Sequence, residues 1–292
     1  MRTAFPLLLI RRMLCIAYCL VLFSCYTPRY VYSPSAHNVP VLVKKGDSKL
    51  AINLSSNLSG KSTDNNVVKI NKGRGIDIQG AYAVAKKWAV QLAYFHRTEK
   101  NNGNFDIGNL DSAEINYKRN LTEFGIGYFK SLSSNSRAVF QAFGGVGFGK
   151  FSFTDKGRDQ NNVFHNNYHN VSVTKVYLQP AFMVRSKRNF AFSLSSRFSL
   201  IYFSKIHTDY TNPELNNYKL DSLSYSPRLF WEPAIVNTFG FKKLPSLQLE
   251  FQMGMASLAS RRFIDYRAFN FSAGLLFDLP KLFALTRHSS KN

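Results

Sequence analysis

From Ser48 onward, apolar residues recur at every second position rather than every third or fourth. In residues 190–202, Phe190, Phe192, Leu194, Phe198, Leu200 and Tyr202 fall on one side, opposite Ala191, Ser193, Ser195, Arg197 and Ser199. Residues 247–255 set Leu247, Leu249, Phe251, Met253 and Met255 against Gln248, Glu250, Gln252 and Gly254. Period-two alternation is the signature of a strand with two unlike faces. The same pattern marks 75–85, 88–97, 121–130, 138–148, 175–184 and 269–278, is noisier in 229–241, and is weakest in 49–58. Ten strands are therefore expected, with eight or twelve as the alternative counts.

The chemistry of the two faces decides which one points outward. A soluble sandwich buries its large apolar face and exposes charges. Here the polar face is built of Gly, Ala, Ser and Gln with sparse charges, which suits a narrow interior. The other face is aromatic and unbroken over the nine or more residues that a tilted strand needs to cross a bilayer. The expected fold is all-β: a transmembrane, antiparallel, up-and-down β-barrel. Connections alternate long (59–72, 98–118, 155–170, 204–226) and short (86–87, 131–136, 185–189, 242–246), as when one end of a barrel carries tight turns and the other carries loops.

The N-terminus follows other rules. Residues 1–24 hold Arg2, Arg11 and Arg12 and then an apolar stretch too short for a flanked spanning helix, which is the form of a secretory signal. Leu22-Phe23-Ser24-Cys25 resembles the lipobox of bacterial lipoproteins, which implies acylation of Cys25. The three cysteines are Cys15, Cys19 and Cys25, so cleavage before Cys25 would leave neither a disulfide nor a thiolate metal site. Pro28, Pro34 and Pro40 make 25–47 an extended tether, free either to pack along the domain or to enter its mouth. The expected division is signal 1–24, lipid-anchored tether 25–47, barrel 48–280 and basic tail 281–292. In pattern, 48–280 resembles the OmpA/OmpX-like small outer-membrane barrels. The lipobox with Tyr32-Ser-Pro-Ser-Ala-His-Asn-Val-Pro-Val-Leu42 resembles uncharacterised barrel lipoproteins of Bacteroidota. The resemblance implies an outer-membrane, lipid-anchored location with both termini periplasmic, and little about activity.

Composition then changes the picture in one respect. With 38 Lys+Arg against 17 Asp+Glu in 292 residues, the formal charge is +21, which invites a nucleic-acid reading. The cations do not cluster among stacking aromatics, and the aromatics are committed to the apolar face, so nucleic acid is not an expected partner. Many cations instead fall in the short turns and tail. Lys86, Lys87, Arg185, Lys187, Arg188, Lys242 and Lys243 are expected to form a periplasmic basic rim facing anionic lipid headgroups.

Candidate chemistry is sparse. Asp77, Glu123, Lys175, Arg197, Glu232, Glu250 and Asp278 lie on the inward face, where burial requires opposite charges to pair. Such a set is either a salt-bridge network that fills the lumen or the lining of a narrow selective pore. Gly145, Gly147 and Gly149 would leave one wall bare, which suits either. His207-Thr-Asp209 at a strand end, near Asp106, Asp111, Asp155 and Asp159, resembles the rim of the omptin surface proteases, but the order is wrong and a second paired-acid motif is missing. His165 and His169 have no helix to turn their four-residue spacing into a metal site. No catalytic residue, metal or cofactor is expected. The expected role is structural or surface-interacting, as a monomer among outer-membrane lipids with an extracellular or periplasmic protein as the further partner. A narrow solute channel is the alternative, and an omptin-like hydrolase the second.

Overall fold

The computed structural model describes residues 29–280 except 58–62, 65–66, 69, 104–111, 159–162, 187–189 and 245. The signal, Cys25, the tail 281–292, Lys187, Arg188, Asp106, Asp111 and Asp159 lie outside the described residues. Ten long strands close on themselves. They are β1 (Ser48–Ser56), β2 (Ile70–Ala83), β3 (Trp88–Gly103), β4 (Ser112–Ser131) and β5 (Ala138–Arg158). The ring continues with β6 (Phe164–Arg185), β7 (Phe190–Thr208), β8 (Arg228–Gly240), β9 (Leu247–Met255) and β10 (Phe269–Phe277). Each strand pairs antiparallel with its sequence neighbour, and β10 returns to β1 through Ile52↔Leu275 and Leu54↔Ala273. Closure leaves no strand edge, as hydrocarbon demands of a spanning sheet.

The outward band is as expected. Trp88, Val90, Leu92 and Tyr94 on β3, Phe124 and Ile126 on β4, and Val146 and Phe148 on β5 are exposed, while Gln91, Glu123 and Gln141 are buried inside. Near the long-loop end, however, the faces exchange roles. Beyond Phe148, β5 turns Phe151 and Phe153 inward and Lys150, Thr154 and Lys156 outward. The same inversion buries Leu121, Tyr117 and Ile115 on β4, Val173 and Val171 on β6, and Ile201 and Phe203 on β7. The barrel thus continues past the lipid-facing band as a collar with an aromatic core. Much of what alternation alone assigned to the loops 98–118 and 155–170, and the first residues of 204–226, is this strand extension, because polarity inverts there while pairing runs on. A short helix α1 (Asn212–Asn217) has Pro213 in its first turn, its entry held by Glu214, whose carboxylate accepts from the Thr211 N–H (2.7 Å) and hydroxyl (2.8 Å).

The course of residues 29–47 decides between the two paths open to an extended tether. The segment enters the barrel and runs as a strap along its lumen. The strap begins at the long-loop end, where the Arg29 guanidinium pairs with Asp155 and its N–H reaches Asp265. It ends at the short-turn end, where Gly46 (φ +89°) donates to the Ala83 carbonyl and turns the chain into β1. The described ends of the chain therefore lie at opposite mouths, not together on the short-turn side. The strap has to cross the barrel once before the first strand can begin.

Candidate functional site

The lumen is arranged in three layers, and the strap matches each of them. In the collar, Val31 and Tyr32 are buried among Phe95, Phe151, Phe230 and Ile264. The Tyr32 ring stacks on Phe230 at 4.3 Å between centroids, and its hydroxyl donates to Glu232. Arg29 lies over Tyr218 at 3.9 Å, and Tyr210 donates to Asp155 at 2.7 Å. Burial and then the neighbouring Asp155 carboxylate raise the Tyr210 pKa, so this loop hydroxyl stays protonated and keeps donating.

In the middle layer the lumen is charged and the strap is polar. Lys175 Nζ lies 2.7 Å from Glu123, Arg197 Nε 2.5 Å from Glu232, and Lys49 Nζ 2.7 Å from Glu250. Arg97 pairs at 3.8 Å with Asp77, while Arg119 and Arg267 both contact Glu99 at 2.9 Å. All of these residues are buried. The strap joins the network through Ser33, which accepts from Arg97 (3.1 Å), and Ser35, whose hydroxyl donates to Glu123 (3.2 Å) and whose carbonyl accepts from Arg197 (2.8 Å). Gln252 clamps the His37 backbone, accepting from its N–H (2.5 Å) and donating to its carbonyl (3.1 Å). Buried charges held this way are costly to break, because removing one partner strands the other in a low dielectric.

The lowest layer is apolar on both sides. Val39 packs with Val139, Met183, Ala191 and Val236, and Leu42 with Ala83, Ala89, Phe129 and Phe143. Strap and wall therefore change polarity in step: aromatic with aromatic, hydroxyl and imidazole with charge, aliphatic with aliphatic. Burial of that matched surface, together with the hydrogen bonds, is what holds the strap.

Of the inward charges read from the sequence, Asp77, Glu123, Lys175, Arg197, Glu232 and Glu250 meet in this network. Asp278 does not: it lies just past β10 at the short-turn end, its N–H donating to the Ser246 carbonyl at 2.9 Å. Lys86, Lys87, Lys242 and Lys243 are exposed in the short turns, with Arg185 half-buried beside them. Lys44 and Lys45 of the strap add to that end. His207 is exposed on the outer wall, away from the buried Asp155, so the rim set suggested by His207 and Asp155 is not assembled.

Three things were missed in the sequence. Arg97 ends the expected run 88–97 but is not among the inward charges read from the sequence, while Glu99 and Arg119 continue the inward phase of β3 and β4 beyond the runs 88–97 and 121–130, where the apolar face stops. Lys49 shares the phase of Ala51 and Asn53, in the run with the weakest alternation. The wall that Gly145 was expected to leave bare is covered by Tyr177, whose hydroxyl would lie 2.6 Å from a Cβ at Gly145 and 2.5 Å from one at Gly125. Glycine is required at both positions because a Cβ would collide with the Tyr177 side chain, and at Gly145 also with the Phe124 carbonyl of the paired strand at 2.1 Å.

His37 Nδ1 lies 2.9 Å from Ser195 Oγ. Both groups are buried, and the described bonds give the ring no carboxylate to orient it as a general base. Among the described residues no group of three or more His, Cys, Asp or Glu is placed to hold a metal ion.

A closed, up-and-down, ten-stranded barrel with a lipid-facing band defines an outer-membrane β-barrel protein. No protein-family model matches the chain, and no curated protein matches it in sequence. Similar solved structures are outer-membrane barrels. The translocator domain of the autotransporter NalP from Neisseria meningitidis is 10% identical, covering 80% of this chain and 88% of that one, with a TM-score of 0.46. OprG from Pseudomonas aeruginosa is 10% identical over 82% and 98% of the two chains (TM-score 0.35), and the NanC porin 9% over 78% and 99% (TM-score 0.35).

Proposed function

We propose that this protein is a closed, non-catalytic outer-membrane barrel that plugs itself and uses its collar as a surface-interaction platform. The observation that carries the reading is the layer-by-layer match between strap residues 29–43 and the lumen wall. A pore needs a continuous wet path, whereas here the segment 39–43 fills the lower lumen with aliphatic side chains. Because long loops mark the external end of such barrels, the strap starts outside and runs inward. Arg29, at the start of the strap, then sits at the external mouth rather than at the periplasmic one.

Planar-bilayer recording tests the plug. The wild-type barrel is expected to be electrically silent, and Leu42→Asp together with Val39→Asp, which buries two carboxylates in the aliphatic layer, to produce steady conductance. Steady conductance through the wild type would replace this reading with the narrow-channel one. An epitope inserted immediately before Arg29 tests the direction: it should bind antibody on intact cells. Binding only after permeabilisation would reverse the orientation.

A further inference from the structure

The outer wall carries an irregularity that the plug does not use. On β6, β7 and β8, Pro180, Ser196 and Pro233 stand in one transverse row, Ser196 opposite Pro233 in the register. Pairing between β6 and β7 lapses at this row, between Leu178↔Phe198 and Ala181↔Ser195. Neither proline can donate to the ladder, and all three side chains are low. Taller neighbours, Phe140, Phe182, Leu194 and Met253, stand around them, leaving a lipid-facing groove of about 480 Å³.

Directly beyond the groove lies a cationic, aromatic ledge. β8 runs outward from Pro233 past Trp231 to Leu229, a rise of roughly 10 Å for a strand tilted about 40°. There the 259–262 turn docks on it, with the Ala259 N–H donating to the Leu229 carbonyl (2.8 Å) and the Leu229 N–H to Ser260 Oγ (2.7 Å). Arg261 and Arg262 are exposed at this point, where the apolar band ends. Arg262 lies 5.7 Å over the Tyr225 ring, and Lys219 4.6 Å over the Phe263 ring. Tyr225 is 72% and Phe263 53% exposed, aromatic faces held at the membrane boundary instead of in the core. Lys205 projects from the outer end of β7, so this face carries four cations; of the acids in the adjoining loop, Asp209 accepts from the Tyr168 N–H (2.6 Å) and Glu214 from the Thr211 N–H (2.7 Å), and Asp221 is exposed.

We propose that this β7–β9 face is a binding site for a phosphorylated glycolipid of the outer leaflet. Phosphate groups sit on Arg261 and Arg262, sugar faces lie against Tyr225 and Phe263, and one acyl chain descends past Trp231 into the groove. Arginine suits phosphate because its fork donates two parallel hydrogen bonds, and the aromatic rings hold both cations and sugar faces. The choice of a lipid over a soluble polyanion rests on the groove, since only an acylated ligand uses charge and groove together. The inference depends on the orientation given under the proposed function, with the long-loop end external.

The test is a titration of the purified, detergent-folded barrel with bisphosphorylated lipid A and with the same lipid stripped of phosphate. The wild type should bind the phosphorylated form about tenfold or more tightly than the stripped one. Arg261→Ser with Arg262→Ser should abolish that preference. Ser196→Leu, which fills the groove floor, should weaken binding of the lipid but leave binding of a soluble glucosamine phosphate unchanged. The proposal is overturned if the double variant retains the preference, if stripped lipid binds equally well, or if a soluble polyanion competes as effectively as lipid. A heat-shifted gel band on the same samples shows that each variant is folded. The tag experiment stands apart: an inward-facing ledge would overturn the outer-leaflet occupant together with the orientation, whereas an outward-facing ledge without phosphate preference would overturn the site and spare the orientation.

Discussion

The membrane zone and the collar are made by the same strands, yet they obey opposite rules. On β5, Val146 and Phe148 face out while Gln141 faces in; a few residues later Phe151 and Phe153 face in while Lys150 and Lys156 face out. Hydrogen bonding does not notice the change, for the β5–β6 ladder runs from Ala138↔Val184 to Arg158↔Phe164. Only the solvent outside has changed, from hydrocarbon to water. Strand continuity is thus fixed by the backbone, whereas facing is fixed by what surrounds the wall. The strap obeys the same logic from within, with Ser33, Ser35, His37 and Asn38 bonded to charged and polar wall groups and Val39 and Leu42 packed on aliphatic and aromatic ones.

This contrast can be attacked at its strongest point first. Glu232→Gln removes the negative charge opposite Arg197 and leaves a single acceptor oxygen for Arg197 and the Tyr32 hydroxyl in the buried middle layer. It should cost about 3–5 kcal/mol in urea unfolding. The exposed collar pair Lys100–Glu114 (2.6 Å; side chains 43% and 41% exposed) provides the counterpart, and Lys100→Ala should cost under about 1 kcal/mol. Equal losses at the two sites would mean that the middle layer is wet.

Next in size is a paired substitution on one outward face. Ile126→Lys puts a charge where β4 faces lipid and should cost about 2–4 kcal/mol in unfolding from vesicles. Thr154→Lys, outward on the β5 collar, should stay within about 0.5 kcal/mol. A costly Thr154→Lys would extend the hydrocarbon zone into the collar. Smaller again is Gly127→Ala: its Cβ would lie 2.3 Å from the Phe143 ring and 2.7 Å from the Ala142 carbonyl, so strands must shift. A loss of about 1–3 kcal/mol is expected, relieved in part when Phe143 is shortened to Leu.

The membrane zone was readable because its two faces differ in size as well as polarity, and each strand repeats the signal. Six of the inward charges were found by phase alone. The collar was not, because Tyr117, Phe151 and Phe153 inward with Lys118 and Lys150 outward invert the phase, and an inverted phase looks like the end of a strand. The strap was readable only as an extended segment. Its Ser33, Ser35 and His37 have no periodic partner nearby; their partners Arg97, Glu123 and Ser195 lie far along the chain. The prolines that forbid a helix there say nothing of where an extended segment goes.

The central claim is that the strap occupies the lumen, and proximity of residue 37 to residue 195 tests it most directly. In a background with Cys15, Cys19 and Cys25 all replaced by Ser, His37→Cys with Ser195→Cys places two thiols where the wild-type Nδ1 and Oγ are 2.9 Å apart. A short bifunctional maleimide applied to the folded, heat-shifting barrel should join them in most molecules, with a 37–195 linked peptide found by mass spectrometry. If both thiols are labelled singly and no linked peptide forms in the folded barrel, the strap is not in the lumen and the plugged-barrel account is wrong.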